Sequence, residues 1–454
     1  VLRAQLAEFA SLPRDARLYI CAEALSAFAT GAFGAVYNLY VLGLGFDTAF
    51  LGTLLVVATV GAGAAVVPAG ALVDRVGARA LLLGGSLVVA AGIGAQLLLP
   101  LAGVLAAGNA LAGAGAATFF VAAAPFLARA APAGRQNAVF SLDTAVALGG
   151  TAVGSIVAGQ VAAVAAGATP DGPEPYRLAL LLGGAVGALS FPVLLATRGA
   201  PKHARPAGVS EAPEAPEAPE APEAPEAPED GGAPGALPST EPGAGARGAA
   251  APAGPLASWR AVLGDRAAVR LGVVTGLIGL GAGLFVPFLN VYFVDVLGAS
   301  PAIYGWVGGA TTLTRLGATL LAPPVAARLG TAGAIAGTQL ASVPFLLLLG
   351  FAPHLAVAAG AVVVRGALMN MAAPLQTSLT MGRLRPESRG SGNAFLLLVA
   401  NLTRAASTLA GGAMIERTGY RWPYLLTAVC YAVASVLLWW WFGERPLRRP
   451  PGGR

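Results

Sequence analysis

The sequence predicts an all-α polytopic membrane protein, built as two pseudo-symmetric bundles of six transmembrane helices each. Three observations carry this. The 454 residues are 56% hydrophobic and only 11% charged, where soluble domains carry about 25% charged residues. Twelve apolar runs have about the 20 residues a helix needs to cross roughly 30 Å of hydrocarbon. A set of residues in the first half also returns, in order, in the second.

The first six spans are expected near residues 18–42, 49–69, 80–99, 101–127, 138–166 and 177–197. The second six are expected near 268–296, 302–325, 331–351, 355–381, 391–414 and 422–442. This divides the chain into an N-terminal segment 1–17, bundles at 18–197 and 257–442, a connecting stretch 198–256 and a basic tail 443–454. An even number of spans puts both termini on one side. Arg14, Arg17, Arg75, Arg79, Arg129, Arg135, Arg328, Arg383, Arg385, Arg389, Arg445, Arg448 and Arg449 fall on that side, against Arg177, Arg417 and Arg421 opposite. Arginine in short loops marks the cytoplasmic face, so the expectation is an integral protein of a plasma or inner membrane with both termini in the cytoplasm. Trp439, Trp440 and Trp441 close the last span where an aromatic belt belongs. The first 17 residues carry Arg3, Arg14 and Arg17 without an apolar core, so no signal peptide is expected.

The stretch 198–256 changes character. Its EAP triplets from Glu211 to Pro228 hold no large apolar residue. Proline at every third position forbids a helix, and repeated like charge extends the chain. The expectation is a disordered spacer leaning to polyproline II; a docking strip for a basic partner is the alternative. Gly243, Gly245 and Gly248 match GxGxxG in form but follow no strand, so no nucleotide site is read there. The net charge of +6 comes from arginines spread over short loops rather than one face, which argues against nucleic acid as a partner. Cys21 and Cys430 lie inside apolar spans, so neither a disulfide, a metal nor another cofactor is expected. With no nucleophile–base set and no phosphate loop, no catalytic residues are assigned and an enzyme is not expected.

The halves repeat one another. Gly31-x-Phe33-x4-Asn38-x-Tyr40 returns as Gly283-x-Phe285-x4-Asn290-x-Tyr292, offset 290 − 38 = 252. Arg75-x-Gly77 returns as Arg328-x-Gly330 at 253, and Pro132-x2-Arg135 as Pro386-x2-Arg389 at 254. Three matches in order at a steady offset indicate duplication of a six-helix unit. Parallel repeats of this kind place a solute site near the midplane between the halves.

Between the second and third spans lies the charge-dense stretch Gly70 to Arg79, reading GALVDRVGAR. Asp74, Arg75 and Arg79 cannot sit in hydrocarbon, where each costs about 2.5–3.5 kcal/mol on insertion scales. Gly70 and Gly77 permit a tight reversal. The pattern Gly-x3-Asp-Arg-x-Gly-x-Arg at this position closely resembles the loop between helices two and three of the major facilitator superfamily of secondary transporters. The resemblance implies that superfamily's fold and a cytoplasmic gate, with Asp74 facing the start of the eleventh helix and Arg75 and Arg79 in a charge network. Ala80 stands where a second basic residue is common, and Ala327 corresponds to Asp74 in the second half, so that copy of the loop is degenerate.

Charges inside spans are the best pointers to a solute or proton path. Glu23, Asp143, Arg315, Arg365 and Arg404 belong to helices one, five, eight, ten and eleven; helices three, six, nine and twelve carry none. That division matches what the resemblance implies, with helices three, six, nine and twelve facing lipid. Arg365 lies mid-span, followed by Asn370 and Gln376, and a buried guanidinium needs an anion or several acceptors. Arg315 and Arg404 lie on helices expected at the interface between bundles. Glu23 is about five residues, roughly 8 Å, from its span's start; it either reaches the interface or is a protonatable carboxylate. Asp143 is equally shallow and can pair with Arg79. Asn38, Tyr40, Asn290 and Tyr292, related by the repeat, are assigned to the cavity wall, the asparagines alternatively serving as interhelical glue. Gly150-x3-Gly154 lets helix five approach a neighbour closely, but Ser155 follows where drug–proton antiporters of the superfamily often have proline. Asn109 stands where members often have an intramembrane arginine.

The expected function is a secondary transporter of a small organic solute by alternating access, exporting it in exchange for protons through Glu23 and Asp143. Uptake or exchange of an anionic solute on the intramembrane arginines is the alternative. A sensor or scaffold using the acidic linker is the rival from another class.

Overall fold

The structure, a computed structural model, describes residues 9, 11–132, 135–168, 172–198, 260, 262–351, 354–384 and 389–443. The expected linker beyond Arg198, the tail beyond Gly443, Arg385 and Pro386 lie outside the described residues, as do the side chains of Asp74 and Arg389.

The N-terminal bundle consists of α1 (Arg14–Gly43), α2 (Thr48–Val76), α3 (Ala78–Leu98), α4 (Ala102–Ala130), α5 (Gln136–Ala168) and α6 (Glu174–Ala188), which continues after Leu189 as Ser190–Leu195. The C-terminal bundle consists of α7 (Arg266–Phe285), α8 (Pro301–Leu329), α9 (Thr331–Phe351), α10 (Leu355–Arg383), α11 (Arg389–Thr418) and α12 (Arg421–Phe442). Side-chain caps start several of them: the Asp47 carboxylate accepts from Phe50 N–H at α2, Asp265 from Ala267 N–H at α7, and Ser300 Oγ from Ile303 N–H at α8.

Among the described residues, eleven helices are long and apolar enough to cross a membrane. The expected eighth span is a helix of 29 residues, α8, with Thr311, Thr312, Thr314, Arg315 and Thr319 lowering its hydropathy. Each of these threonines donates to a carbonyl of the preceding turn. Their hydroxyls therefore need no water.

Two expected elements differ. Gly70 to Arg79 is helical except at Gly77. With 29 residues, α2 spans about 43 Å and outgrows the hydrocarbon, so its charged end still clears the apolar layer. The reversal falls on Gly77, whose φ of 90° ends α2, and Gly330 ends α8 with φ 73°. That left-handed conformation explains why glycine returns at the offset of 253. The seventh span is not one helix. After Phe285 it passes through a 3-10 turn at Val286–Phe288, a short helical stretch Leu289–Val291 and a π turn at Tyr292–Val296. Pro287 has no N–H to continue the ladder.

Packing repeats with the sequence. In the first bundle α1 lies on α5 and α6, and α4 on α2 and α3; in the second α7 lies on α11 and α12, and α10 on α8 and α9. Between the bundles α2 meets α11 and α5 meets α8. The apolar core around Tyr40, Leu51, Leu54 and Leu105 takes in Phe288, Val291 and Ile415 from the second bundle. The core around Tyr19, Leu82 and Phe126 is wholly N-terminal. The bundles thus share a core at the end far from the termini.

Candidate functional site

Each residue of the repeated motif has a local reason. A Cβ on Gly31 would run into the Thr151 carbonyl of α5, and one on Gly283 into the Arg404 carbonyl of α11. Gly154 answers from α5, where a Cβ would collide with the Phe28 carbonyl. The Tyr40 hydroxyl donates to Gln96 O at 3.3 Å, and Tyr292 donates to Leu349 O at 2.9 Å, 349 − 96 = 253 residues on. Both tyrosines are buried struts inside their own bundles rather than cavity walls.

The two asparagines meet. Asn38 Nδ2 donates to Pro287 O at 2.6 Å and to Asn290 Oδ1 at 2.9 Å, and Asn290 Nδ2 donates to Ala35 O at 3.2 Å. The break in α7 makes this possible. In a regular helix Val291 N–H would take the Pro287 carbonyl; here it donates to Asn290 Oδ1 at 3.0 Å, which leaves that carbonyl for Asn38. Beside this knot, Thr48 Oγ1 shares its one proton between Gly412 O at 3.0 Å and Glu416 Oε2 at 2.9 Å, Thr48 N–H donates to Glu416 Oε2 at 3.3 Å, and Ser155 Oγ donates to Gly305 O at 3.2 Å. The helices approach backbone to backbone: Gly52 faces the Thr408 carbonyl, Gly412 that of Thr48, Gly159 that of Pro301 and Gly305 that of Ser155. All these contacts lie at the end away from the termini. Towards the termini, Val66, Val67 and Leu72 of α2 and Leu397, Leu398 and Leu402 of α11 are exposed. A crevice there is walled by Thr59 and Val66 of α2, Ala116 and Phe120 of α4 and Asn401 of α11.

Of the predicted gate residues, Arg75 and Arg79 make no ion pair among the described residues. Arg75 is exposed and Gly70 has open space around it. Arg79 Nη2 donates to Leu195 O at 2.8 Å and its Nε to Thr197 Oγ1 at 3.2 Å. It therefore pins the end of α6 rather than pairing with Asp143. Asp143 is half-buried, and its Oδ1 is sealed from solvent without a hydrogen-bond partner among the described residues. Glu23 on α1 lies within electrostatic reach of it. Glu23 stands nine residues into α1, which starts earlier than expected, at Arg14.

Arg365 is 7% exposed and lies between two rings, its Cζ 5.1 Å from the Phe285 centroid and 5.6 Å from that of Tyr431, with Nη2 donating to the Tyr431 hydroxyl at 3.2 Å. Stacking and one hydrogen bond hold the charge inside the C-terminal bundle. Asn370 donates back to Gly366 O at 2.7 Å, and Gln376 is half-buried on the same helix. Neither joins the asparagine knot. Arg315 and Arg404 are exposed on α8 and α11.

Sequence reasoning did not single out Thr48, Glu416, Tyr37 or Gln96. Tyr37 and Gln96, with Asn109, form a buried polar cluster at one end of a cavity of about 680 Å³ inside the N-terminal bundle. Its walls include α3 and α6, which the resemblance implied face lipid. A search for uncharged polar residues within spans would have found them.

A family model described as Major Facilitator Superfamily matches residues 19–271 and 271–454. The chain belongs to this superfamily. Solved structures of members share its fold. The nucleoside transporter NupG superposes with a TM-score of 0.70 at 12% identity, covering 94% of this chain and 100% of its own. A bacterial homologue of the human lysosomal transporter Spinster, inward-facing and unoccupied, gives 0.69 at 13% over 94% and 96%. A D-xylose–proton symporter gives 0.67 at 15% over 94% and 97%. Identities this low carry the fold and nothing finer. No curated protein matches the chain by sequence.

Proposed function

We propose that this superfamily member is a secondary transporter that moves a small organic solute by alternating access, exporting it in exchange for protons. The observation that carries the reading is the knot of Asn38, Pro287 and Asn290. It ties the bundles together at one end of the seam while α2 and α11 stand apart at the other. The arginine count argues that the open end is cytoplasmic, which makes this an inward-facing state. Rocking about the midplane would break the knot and bring Asp74 of α2 towards the start of α11.

Glu23 and Asp143 supply the coupling chemistry. They lie on α1 and α5 towards the termini, within electrostatic reach of each other, and a proton taken by either relieves the repulsion between them. The anionic-solute reading has less support, because Arg365 is buried within the C-terminal bundle between Phe285 and Tyr431, and Arg315 and Arg404 are exposed. Arg365 Nε, however, has no hydrogen-bond partner among the described residues.

Proteoliposomes loaded with a panel of uncharged fluorescent compounds test this. A pH gradient should drive net movement in the natural protein. In Glu23→Gln and Asp143→Asn the gradient should lose its effect while solute–solute exchange persists. Gradient-driven movement that survives both substitutions removes proton coupling from the reading. Absence of transport in the natural protein, with a cellular function that is lost on deleting 198–256 and kept in Asp74→Asn, would favour the non-transporting sensor or scaffold instead.

A further inference from the structure

We propose that the N-terminal bundle holds a binding site of its own, walled by that bundle alone and touching the seam knot only at Asn38, for an uncharged amphipathic molecule. That molecule has an apolar body and one hydroxyl or N–H donor. The cavity of about 680 Å³ lies among α1, α3, α4 and α6, within the range of about 300–1,000 Å³ typical of small-molecule sites. Phe33, Val89, Ile93, Phe119 and Leu181 form its apolar walls, and the lining includes no Asp, Glu, Lys, Arg or His. An ion brought here would lose its hydration with no opposite charge to meet it. Leu181 of α6 lines the cavity and is 41% exposed. With α6 on the lipid-facing side, as the superfamily resemblance implies, a ligand dissolved in the membrane has a short way in.

The polar end selects for a donor. Asn109 Nδ2 lies 2.5 Å from the Tyr37 hydroxyl, 2.8 Å from Gln96 Oε1 and 2.9 Å from Leu105 O. Two of these partners can only accept, which fixes the amide nitrogen on that side. Tyr37 in turn donates to Gln96 Oε1 at 2.5 Å, and Gln96 Nε2 donates to Gly92 O at 2.9 Å. The Asn109 carbonyl oxygen remains. It has no partner among the described residues, and Asn109 lines the cavity. It stands ready to accept one hydrogen bond.

The repeat shows that the space is not a by-product of the fold. Ala29 of α1 faces Gly187 of α6, while Gly281, its counterpart 252 residues on, faces the ring of Tyr431. Phe33 lines the cavity, whereas its counterpart Phe285 lies under Arg365. The C-terminal bundle thus places Tyr431 and Arg365 against these positions, where the N-terminal bundle has only the small residues Gly184 and Gly187 beside the cavity.

The test is a binding measurement and needs no transport, so it stands apart from the reading of direction and coupling. The full chain in phosphatidylcholine nanodiscs is irradiated with a diazirine-bearing dodecanol. Saturable cross-links are expected on peptides 26–38 and 181–190, displaced by 1-dodecanol and not by dodecanoate at neutral pH. Gly187→Tyr should suppress them about tenfold, and Asn109→Leu should weaken the alcohol about tenfold, the worth of one buried hydrogen bond. A diazirine-bearing dodecane should not respond to Asn109→Leu. Labelling that never saturates, whether because phospholipid fills the cavity or because the label spreads over the surface, overturns the proposal. So does displacement by dodecanoate as effective as by the alcohol. If Gly187→Tyr does not fold, unchanged alcohol binding in Asn109→Leu overturns it alone.

Discussion

Replacing both Asn38 and Asn290 with alanine removes the three side-chain hydrogen bonds that span the seam at this point. Interhelical polar bonds within membranes average about 0.6 kcal/mol each, so the pair of substitutions costs the closed end about 2 kcal/mol. That moves the balance between the two access states about 20-fold, at 1.4 kcal/mol per factor of ten. Asn38→Ala alone removes two of the bonds, worth about 1 kcal/mol and a shift of about sevenfold. It also strands the Pro287 carbonyl, which raises the figure. Electron-spin distance measurements read the shift directly. Labels at Leu72 of α2 and Leu397 of α11, both exposed near the open end, should move closer as the seam opens opposite. Cys21 and Cys430 are first replaced by serine. Identical distance distributions in natural and doubly substituted protein, with helical content unchanged, would refute the latch.

Three further outcomes are expected. Thr48→Val removes the hydroxyl's bonding to Gly412 and Glu416 while keeping the Thr48 N–H bond to Glu416, and should shift the same distances in the same direction, by about 0.6 kcal/mol; no shift would leave the latch to Asn38, Asn290 and the Ser155–Gly305 bond. Gly154→Ala drives a Cβ into the Phe28 carbonyl, and overpacking of this kind costs about 1–3 kcal/mol, so the unfolding temperature in detergent should fall while Gly149→Ala, which meets open space, leaves it unchanged. Arg365→Gln loses stacking on Phe285 and Tyr431, worth about 0.5–2 kcal/mol, and should lower thermal stability with transport retained at permissive temperature. Loss of transport with stability intact would return Arg365 to the solute path.

Most of the architecture was legible because a bilayer permits little else. Backbone groups in hydrocarbon must pair within a helix, so apolar runs of sufficient length map almost directly onto α1 to α12. The repeat was legible because duplicated positions keep duplicated constraints: close helix approach at Gly31 and Gly283, a carbonyl partner for Tyr40 and Tyr292, positive φ at Gly77 and Gly330. What each copy does with its interior was not legible. Phe33 and Phe285 look equivalent in sequence, yet one walls a cavity and the other lies under a guanidinium. That difference depends on which residue of α6 or α12 arrives opposite, a matter of helix packing rather than spacing. Arg79 misled for a related reason. Its charge suggested an ionic partner, while the end of α6 offered two neutral acceptors nearer by.

The glycine-against-carbonyl contacts at Gly52, Gly159, Gly305 and Gly412 have a mechanical consequence. Where bulky side chains interlock, parting two surfaces means unthreading them, and each must find a new rotamer on the way. At these four points the facing surfaces are bare main chain, with nothing to unthread. The second bundle's buried side chains in the core around Tyr40, Leu51 and Leu54 are Phe288, Val291 and Ile415, so parting the halves means withdrawing those three and breaking the few polar ties. A methyl group added at any of these four points would act as a wedge, and the protein would rest with that edge ajar.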